Sequence, residues 1–372
     1  MFLIIGLVAN IFMAFFVYRF FFLRFSLFNH NSYLLHGLRV FSFLMGIALP
    51  LSFLFGRTFY IPTLSFAFNA LFGLCFLLFI CAFPIFFLLP AFVRLPNKWR
   101  LLLEKGEAYY LAASIFFVIS SFAMGLLPPS VVHTSIHLPN LPMERLKVVQ
   151  LSDMHLGPIL RTTFARQVVE QVNLLRPDLI VITGDLVDQK TKNLLEPLAE
   201  LAHLKARLGV YFCLGNHEYY ANDIANLLAQ LKQLGITPLV NEGRQIGDGE
   251  QKINLIAIAD KMGSRFQDYR PDMPATLSSI DDRFPTILLS HHPIDPASLE
   301  KKVDLILSGH THGGQVMPFD IPVMMVHRFL EGLYQVKDGS LYVNRGTGFW
   351  GPPIRFPAGG EISELVLLRT KL

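Results

Sequence analysis

The segment Asp178-Leu-Ile-Val-Ile-Thr-Gly-Asp-Leu-Val-Asp188 sets an apolar, β-branched run against a glycine and two carboxylates. A run of this length bounded by a turn signal reads as a buried strand, residues 178–183, ending at Gly184-Asp185. The same arrangement recurs on both sides of it. Residues 146–151 end at Ser152-Asp153-Met154-His155, and residues 209–214 end at Gly215-Asn216-His217-Glu218. Further on, residues 286–290 run into His291-His292, and residues 305–308 run into Gly309-His310-Thr311-His312-Gly313-Gly314. Strands are also expected at 252–259 and 341–344, and helices at 163–175, 194–206 and 224–234. Strands alternating with helices indicate an α/β sheet protein. In open α/β sheets, ligands bind just past the C-terminal ends of the strands, where these polar loops fall.

The five loops supply carboxylates, a carboxamide oxygen and imidazoles, and no thiolate. That mixture suits divalent ions of intermediate hardness: Mn, Fe or Zn. Seven such groups exceed what one ion takes, whereas two ions sharing one carboxylate would use them all. Each fragment alone is weak. Asp-x-His is common, Gly-Asn-His-Glu is compatible with an ordinary turn, and a lone histidine is more often a hydrogen-bonded loop residue. Their joint occurrence, in order and each at a strand end, is what makes the set specific. Gly184, Gly215 and Gly309 are read as turn residues that aim the side chains. Cys75, Cys81 and Cys213 form neither a disulfide framework nor a thiolate site and read as small buried hydrophobes.

The spellings LSDMHLGP, ITGDLVD, GNHEYY and SGHTHGGQ resemble the calcineurin-like metallophosphoesterase family, and most of all its exported or membrane-attached bacterial members. The resemblance runs from about Lys147 onward. It implies a four-layer αββα sandwich, two packed sheets flanked by helices, with metals at the C-terminal edge. It further implies that Asp153, His155 and His312 hold one metal, that Asn216, His291 and His310 hold the second, and that Asp185 bridges them. His217 matches the family's catalytic histidine. The ligand of the His291-His292 pair is expected to be His291. Asp188 is expected to orient its loop rather than bind metal, and Glu218 to support a ligand from behind.

The first 130 or so residues differ in kind. Hydrophobic residues make up 52% of the chain and charged residues only 16%, and the imbalance sits in this stretch, whose only acids are Glu104 and Glu107. A bilayer span needs about 20 mostly apolar residues. Residues 1–18 (extended by 20–22), 40–55, 64–93 and 108–127 qualify, the second being short, and Pro128-Pro129 ends the last. The first 18 residues hold no Lys or Arg and no small-residue cleavage site follows, so a retained span is expected rather than a signal peptide. Arg19, Arg24 and Arg39 mark the first loop, and Arg94, Lys98, Arg100 and Lys105 the third, against Arg57 alone in the second. The positive-inside rule then places the catalytic domain outside the cytoplasm. The expected organisation is a membrane domain over 1–129, a linker over 130–145 and a phosphoesterase domain over 146–372.

The expected function is a multi-pass cell-membrane enzyme that hydrolyses a phosphate ester or pyrophosphate bond with a metal-activated water. Its substrate is expected to be lipid-linked or an envelope component. A small-nucleotide phosphodiesterase is the second enzymatic reading. With no basic run near the motifs, a nucleic-acid track is disfavoured. A non-catalytic membrane sensor would be expected to lack a ligand or His217, and none is missing. The apolar stretch 316–334, directly after the last ligand motif, suits either an interfacial segment or a loop packed on the domain.

Overall fold

The computed structural model describes residues 2–25, 31–93, 97–266, 268–336 and 339–370. The chain divides into two compact units, Met1–Leu126 with Gly351–Ile354, and Leu127–Trp350 with Arg355–Leu372.

The first unit is helical: α1 (Phe2–Val17), α2 (Ser32–Phe53), α3 (Pro62–Val93) and α4 (Asn97–Leu126). Four stretches within it, Ile4–Phe22, Ser32–Thr58, Pro62–Leu88 and Gly106–Leu126, are long and apolar enough to cross a bilayer. The second begins eight residues earlier than its apolar run implies. Asn31 explains the difference, because its Oδ1 accepts the amides of Tyr33 (2.9 Å) and Leu34 (3.2 Å) and so starts the helix on a polar cap. Residues 94–96 of the expected third loop lie outside the described residues.

The second unit contains two six-stranded sheets. The first has the order β1-β12-β2-β3-β4-β5 and the second β10-β11-β9-β8-β7-β6. The first comprises β1 (Ser130–Leu138), β2 (Arg145–Leu151), β3 (Leu179–Thr183), β4 (Val210–Cys213), β5 (Ile236–Pro238) and β12 (Glu361–Arg369). The second comprises β6 (Glu242–Asp248), β7 (Gln251–Ala257), β8 (Thr286–Leu289), β9 (Leu305–Ser308), β10 (Gly332–Val336) and β11 (Gly339–Val343). Strands β2 to β5 run parallel, as do β7, β8, β9 and β11.

Alternation along the strands builds the layers. Successive side chains of a strand face opposite ways. Leu146, Val148, Leu179 and Val181 therefore meet Leu255, Ile287, Leu289 and Leu307 in a core between the sheets. Val149, Leu151, Ile180 and Ile182 face outward onto α5 (Thr162–Leu174), α6 (Leu195–Glu200) and α8 (Ile224–Gln233). On the far side, Ile256, Leu288, Ile306 and Val343 pack with Leu277 of α9 (Met273–Ser278). The result is an αββα sandwich.

Two stretches differ from the sequence reading. The helix expected over 194–206 is regular only over Leu195–Glu200, and a 3-10 turn, Leu201–His203, follows before Leu204 turns extended. Residues 130–138, read as part of a linker, form β1 and pair with β12 along nine residues. The physical reason is that Ile136 and Leu138 alternate inward and are buried, while His133, Ser135 and His137 stay out.

Glu364 of β12 sits beside Lys147, with Nζ to Oε1 2.8 Å, and beside His133. Burial pushes its carboxyl up, but the bonds from Lys147 and His133 outweigh burial and hold it below the usual value. A depressed carboxylate stabilises above the unfolded pKa of about 4.3, and that stability drains as pH falls through the lower folded value. On lowering the pH from about 5 to about 3, wild-type chain should therefore lose more of its thermal unfolding midpoint than Glu364→Gln chain. Intrinsic fluorescence in detergent micelles measures it, and parallel pH curves would refute the assignment.

Candidate metal centre

The polar loops leave the C-terminal ends of β2, β3, β4, β8 and β9. Their backbone is unusual. Asp153 (φ 52°), His155 (47°), Asp185 (49°), His310 (71°) and His312 (51°) all lie in the left-handed region. Non-glycine residues there are uncommon, and each costs about 1–3 kcal/mol. The surroundings hold them. Asp153 N donates to Gly184 O (3.0 Å) and His155 N to Asp185 O (3.0 Å), tying the β2 loop to the β3 loop. The buried Glu218 carboxylate gathers the amides of Asp185 (3.0 Å), Leu186 (2.8 Å), Val187 (3.2 Å) and Gly215 (2.7 Å). It thus clamps the β3 and β4 loops together. Gly184 takes φ 81°, and a Cβ there would come within 2.7 Å of the Gly215 backbone and His291 Nδ1. Gly309 needs no such conformation; a side chain there would run into Ser152 Oγ and the Asp153 carboxylate.

The side chains converge in two neighbouring groups. In the first, Asp153 Oδ1 lies 3.2 Å from His312 Nε2, which is 3.1 Å from His155 Nε2. In the second, His291 Nε2 lies 3.1 Å from Asn216 Oδ1 and 3.2 Å from His310 Nδ1. Asp185 Oδ2 sits between them, 3.2 Å from His291 Nε2 and 3.9 Å from the Nε2 atoms of both His155 and His217. Ring-nitrogen and carboxylate atoms of Asp153, His155 and His312, and those of Asp153, Asp185 and His291, lie within 4.8 Å of one another.

These residues fit divalent cations on their hydrogen-bond inventory. His291 Nδ1 donates to Thr183 O (2.9 Å) and His155 Nδ1 to Asp188 Oδ1 (2.8 Å), so in the neutral rings each Nε2 turns a lone pair inward. His291 Nε2 then faces another acceptor, Asn216 Oδ1, and Asp153 Oδ1 has no hydrogen-bond partner among the described residues although it is fully buried. A cation satisfies all of these acceptors at once. Charge agrees. Burial pushes Asp153 and Asp185 up, but His312 and His291 outweigh it and hold both carboxyls well below the usual range. Burial pushes His310 well below its usual value and His312 down to about 4, leaving both rings neutral, whereas at His155 and His291 the neighbouring Asp188 and Asp185 outweigh burial and raise the rings, so a cation there displaces protons. Ionised carboxylates and neutral imidazoles are the forms a metal binds.

Further groups stand behind this set. Asp188 Oδ1 accepts from both His155 Nδ1 and His217 Nδ1 (2.6 Å). His292 turns to Asp260 through Nδ1, while its ring lies 3.6 Å from that of His310. His291 is instead enclosed against Asp185. Four participants were not singled out from sequence. Asp260 follows β7 and carries the same strand-end signal as the other five loops. His327, ending α10 (Asp320–His327), lies 4.9 Å from the His310 ring. Arg355 is buried and donates to the carbonyls of Arg345 (2.9 Å), Gly346 (3.2 Å) and Gly348 (Nε, 3.1 Å), with Nη2 3.2 Å from His312 Nδ1. The indole of Trp350 lies 6.4 Å from the His217 ring. Neither His327, Arg355 nor Trp350 has a local sequence signal, because only the fold brings it to the site.

The sequence model of the calcineurin-like phosphoesterase family matches residues 146–314. An uncharacterized metallophosphoesterase of Helicobacter pylori is 40% identical over 263 residues, 70% of this chain and 69% of the relative. A transmembrane protein with metallophosphoesterase domain from Bos taurus is 38% identical over 69% of this chain and 62% of its own length. An uncharacterized metallophosphoesterase of Bacillus subtilis is 34% identical over 66% of this chain and 88% of its own. With its αββα sandwich and carboxylate–imidazole cluster, the chain belongs to the calcineurin-like metallophosphoesterases. It is a phosphoester hydrolase, and it carries four apolar helices of bilayer length.

Because one oxygen of Asp188 serves two histidines, Asp188→Asn should lower both Mn²⁺ affinity and turnover, each by about 10–100-fold. Metal titration by calorimetry alongside kinetics checks it. An unchanged affinity would confine Asp188 to His217.

Proposed function

We propose that this chain is a membrane-anchored phosphoesterase with a dinuclear metal centre, acting on a lipid-linked or envelope phosphate ester or pyrophosphate. The observation that carries the reading is the enclosed convergence of Asp153, Asp185 and the facing imidazoles, with Asp153 Oδ1 buried and without a hydrogen-bond partner among the described residues. Asp153, His155 and His312 would hold one ion, Asn216, His291 and His310 the other, and Asp185 Oδ2, lying between the groups, would serve both. Mn, Fe or Zn suits this donor set. Divalent ions held there supply Lewis acidity, activating water near neutral pH and offsetting charge on phosphoryl oxygens.

The protein's own groups do the rest. His217 N donates to Asp185 Oδ1 (2.8 Å), which fixes both the α7 (Asn216–Ala221) terminus and the shared carboxylate. Its Nδ1 bond to Asp188 directs Nε2 toward the cluster. With Nδ1 held by Asp188, Nε2 is the ring nitrogen that can donate to a phosphoryl oxygen and then protonate the departing alkoxide. Glu218 holds the β3 and β4 loops still while charge moves, which keeps the donors in place without reorganisation.

The chain's apolar helices support membrane anchoring, and the arginines and lysines that flank the apolar runs in the sequence support a catalytic unit outside the cytoplasm.

Purified full-length chain should hydrolyse p-nitrophenyl phosphate or bis(p-nitrophenyl) phosphate with Mn²⁺ and lose that activity to a chelator. Asp185→Asn should reduce kcat/KM by at least about 10³-fold; substantial residual activity would sink the dinuclear assignment. For topology, alkaline phosphatase fused after the catalytic unit should be active, and an inactive fusion with an active fluorescent reporter would reverse the orientation.

A further inference from the structure

Directly after the ligand motif of the β9 loop, the chain exposes an apolar face that the catalytic reading does not use. Helix α10, sequence Asp-Ile-Pro-Val-Met-Met-Val-His, has no buried residue. Met325 is 79% and Val326 74% exposed, and Met317, Phe319, Ile321 and Met324 are each about half exposed. A run of six large apolar side chains left in water over ten residues is unusual for a soluble surface and marks a contact. The helix is also held to the site. His327 at its end meets the rings of His310 and His292, at 4.9 and 5.9 Å. On the other rim, Trp350 is half exposed beside His217, and its backbone is tied to Gln315 through N to Oε1 (2.9 Å) and O to Nε2 (2.9 Å).

We propose that α10 and the segment before it, Met317 to His327, are a lipid-contacting surface that lies in the headgroup region of the bilayer and brings the metal centre to substrates carried there. The same chain has four helices of bilayer length, and only Leu127, Pro128 and Pro129 separate the end of the last from β1. Three residues of chain reach at most about 10 Å, so the catalytic unit starts close in sequence to the last apolar helix. The composition suits an interfacial helix: Ile, Val and Met outward, a single acid at the start, and the exposed Arg328 just past the end, where a basic group meets anionic headgroups. Asp320 does not oppose this, since its Oδ1 is shielded from solvent. The inference rests on the membrane attachment in the proposed function and is independent of the substrate's identity.

The test uses full-length protein in nanodiscs of phosphatidylcholine and phosphatidylglycerol, with part of the phosphatidylcholine brominated near the top of its acyl chains. Cys75, Cys81 and Cys213 are buried, so an environment-sensitive fluorophore can be placed at Met325→Cys, at Val326→Cys and at the exposed control Glu196→Cys. An interfacial helix sinks its apolar face about 5–10 Å, so brominated lipid should quench positions 325 and 326 by about half and leave 196 unquenched. Equal quenching at all three positions, or none at 325 and 326, overturns the proposal. Disulfide-linked dimers through 325 without quenching overturn it too, assigning the face to a second copy. Quenching is read without turnover, so it can fail while Mn²⁺-dependent hydrolysis persists, and hydrolysis can fail while it holds.

Discussion

The constraint at the centre of this protein is electrostatic: two buried carboxylates, Asp153 and Asp185, converge with facing imidazoles, and Asp153 Oδ1 has no hydrogen-bond partner among the described residues. Removing charge from water is expensive unless it is compensated. Here compensation comes in layers. Asp153 Oδ2 accepts from Ser152 Oγ (2.5 Å) and His310 N (3.0 Å), and Asp185 Oδ1 from His217 N, while Asp185 Oδ2 faces His291 Nε2 at 3.2 Å. The amide clamp of Glu218 and the carbonyl cradle of Arg355 then fix the loops from opposite sides. Burial pushes Glu218 up to about 7 and Arg355 down to about 10, so both groups sit there at some electrostatic expense.

Geometry costs as much as charge. Five donor residues lie in the left-handed backbone region, a strain of about 1–3 kcal/mol each. Strain of that size persists only where rigid surroundings over-determine it, and the two sheets provide them. Of the strands that bear the loops, β3, β4, β8 and β9 are buried along their whole length and β2 from Val148 onward. A single sheet would present all its loops along one line. Two sheets facing each other bring Asp153 and Asp185 from one against His291, His310 and His312 from the other, closing a cage.

What could be read from sequence follows from the same physics. Parallel strands buried on both faces read as unbroken apolar runs, so β3, β4, β8 and β9 were legible along with the polar loops that end them. Strand β12 was not. It lies between β1 and β2 yet carries Glu361, Ser363 and Glu364, whose burial makes sense only with partners distant in sequence, such as Tyr342 Oη donating to Glu361 (2.6 Å). Edge strand β1 hid behind its alternate polar residues. Of the site, the residues next to strand ends could be found from local pattern, and Asp260 shares that signal. Arg355 and His327 arrive through a proline-rich loop and an exposed helix, where no local pattern marks them.

The pairing of β1 with β12 sets an order of events during synthesis. Ser130 finds its partner Glu361 only after 231 further residues have been made. At roughly 5–20 residues per second this is on the order of tens of seconds. Through that interval β1 stands at the foot of the last apolar helix with one edge unpaired, an exposed template for wrong strand pairing. A strand that opens the catalytic unit and is sealed by the last one makes the unit all-or-none: truncation near the end strips the neighbour from both β1 and β2 at once. Quality control at the membrane would therefore meet this protein either as bare helices trailing an open sheet, or as a closed unit.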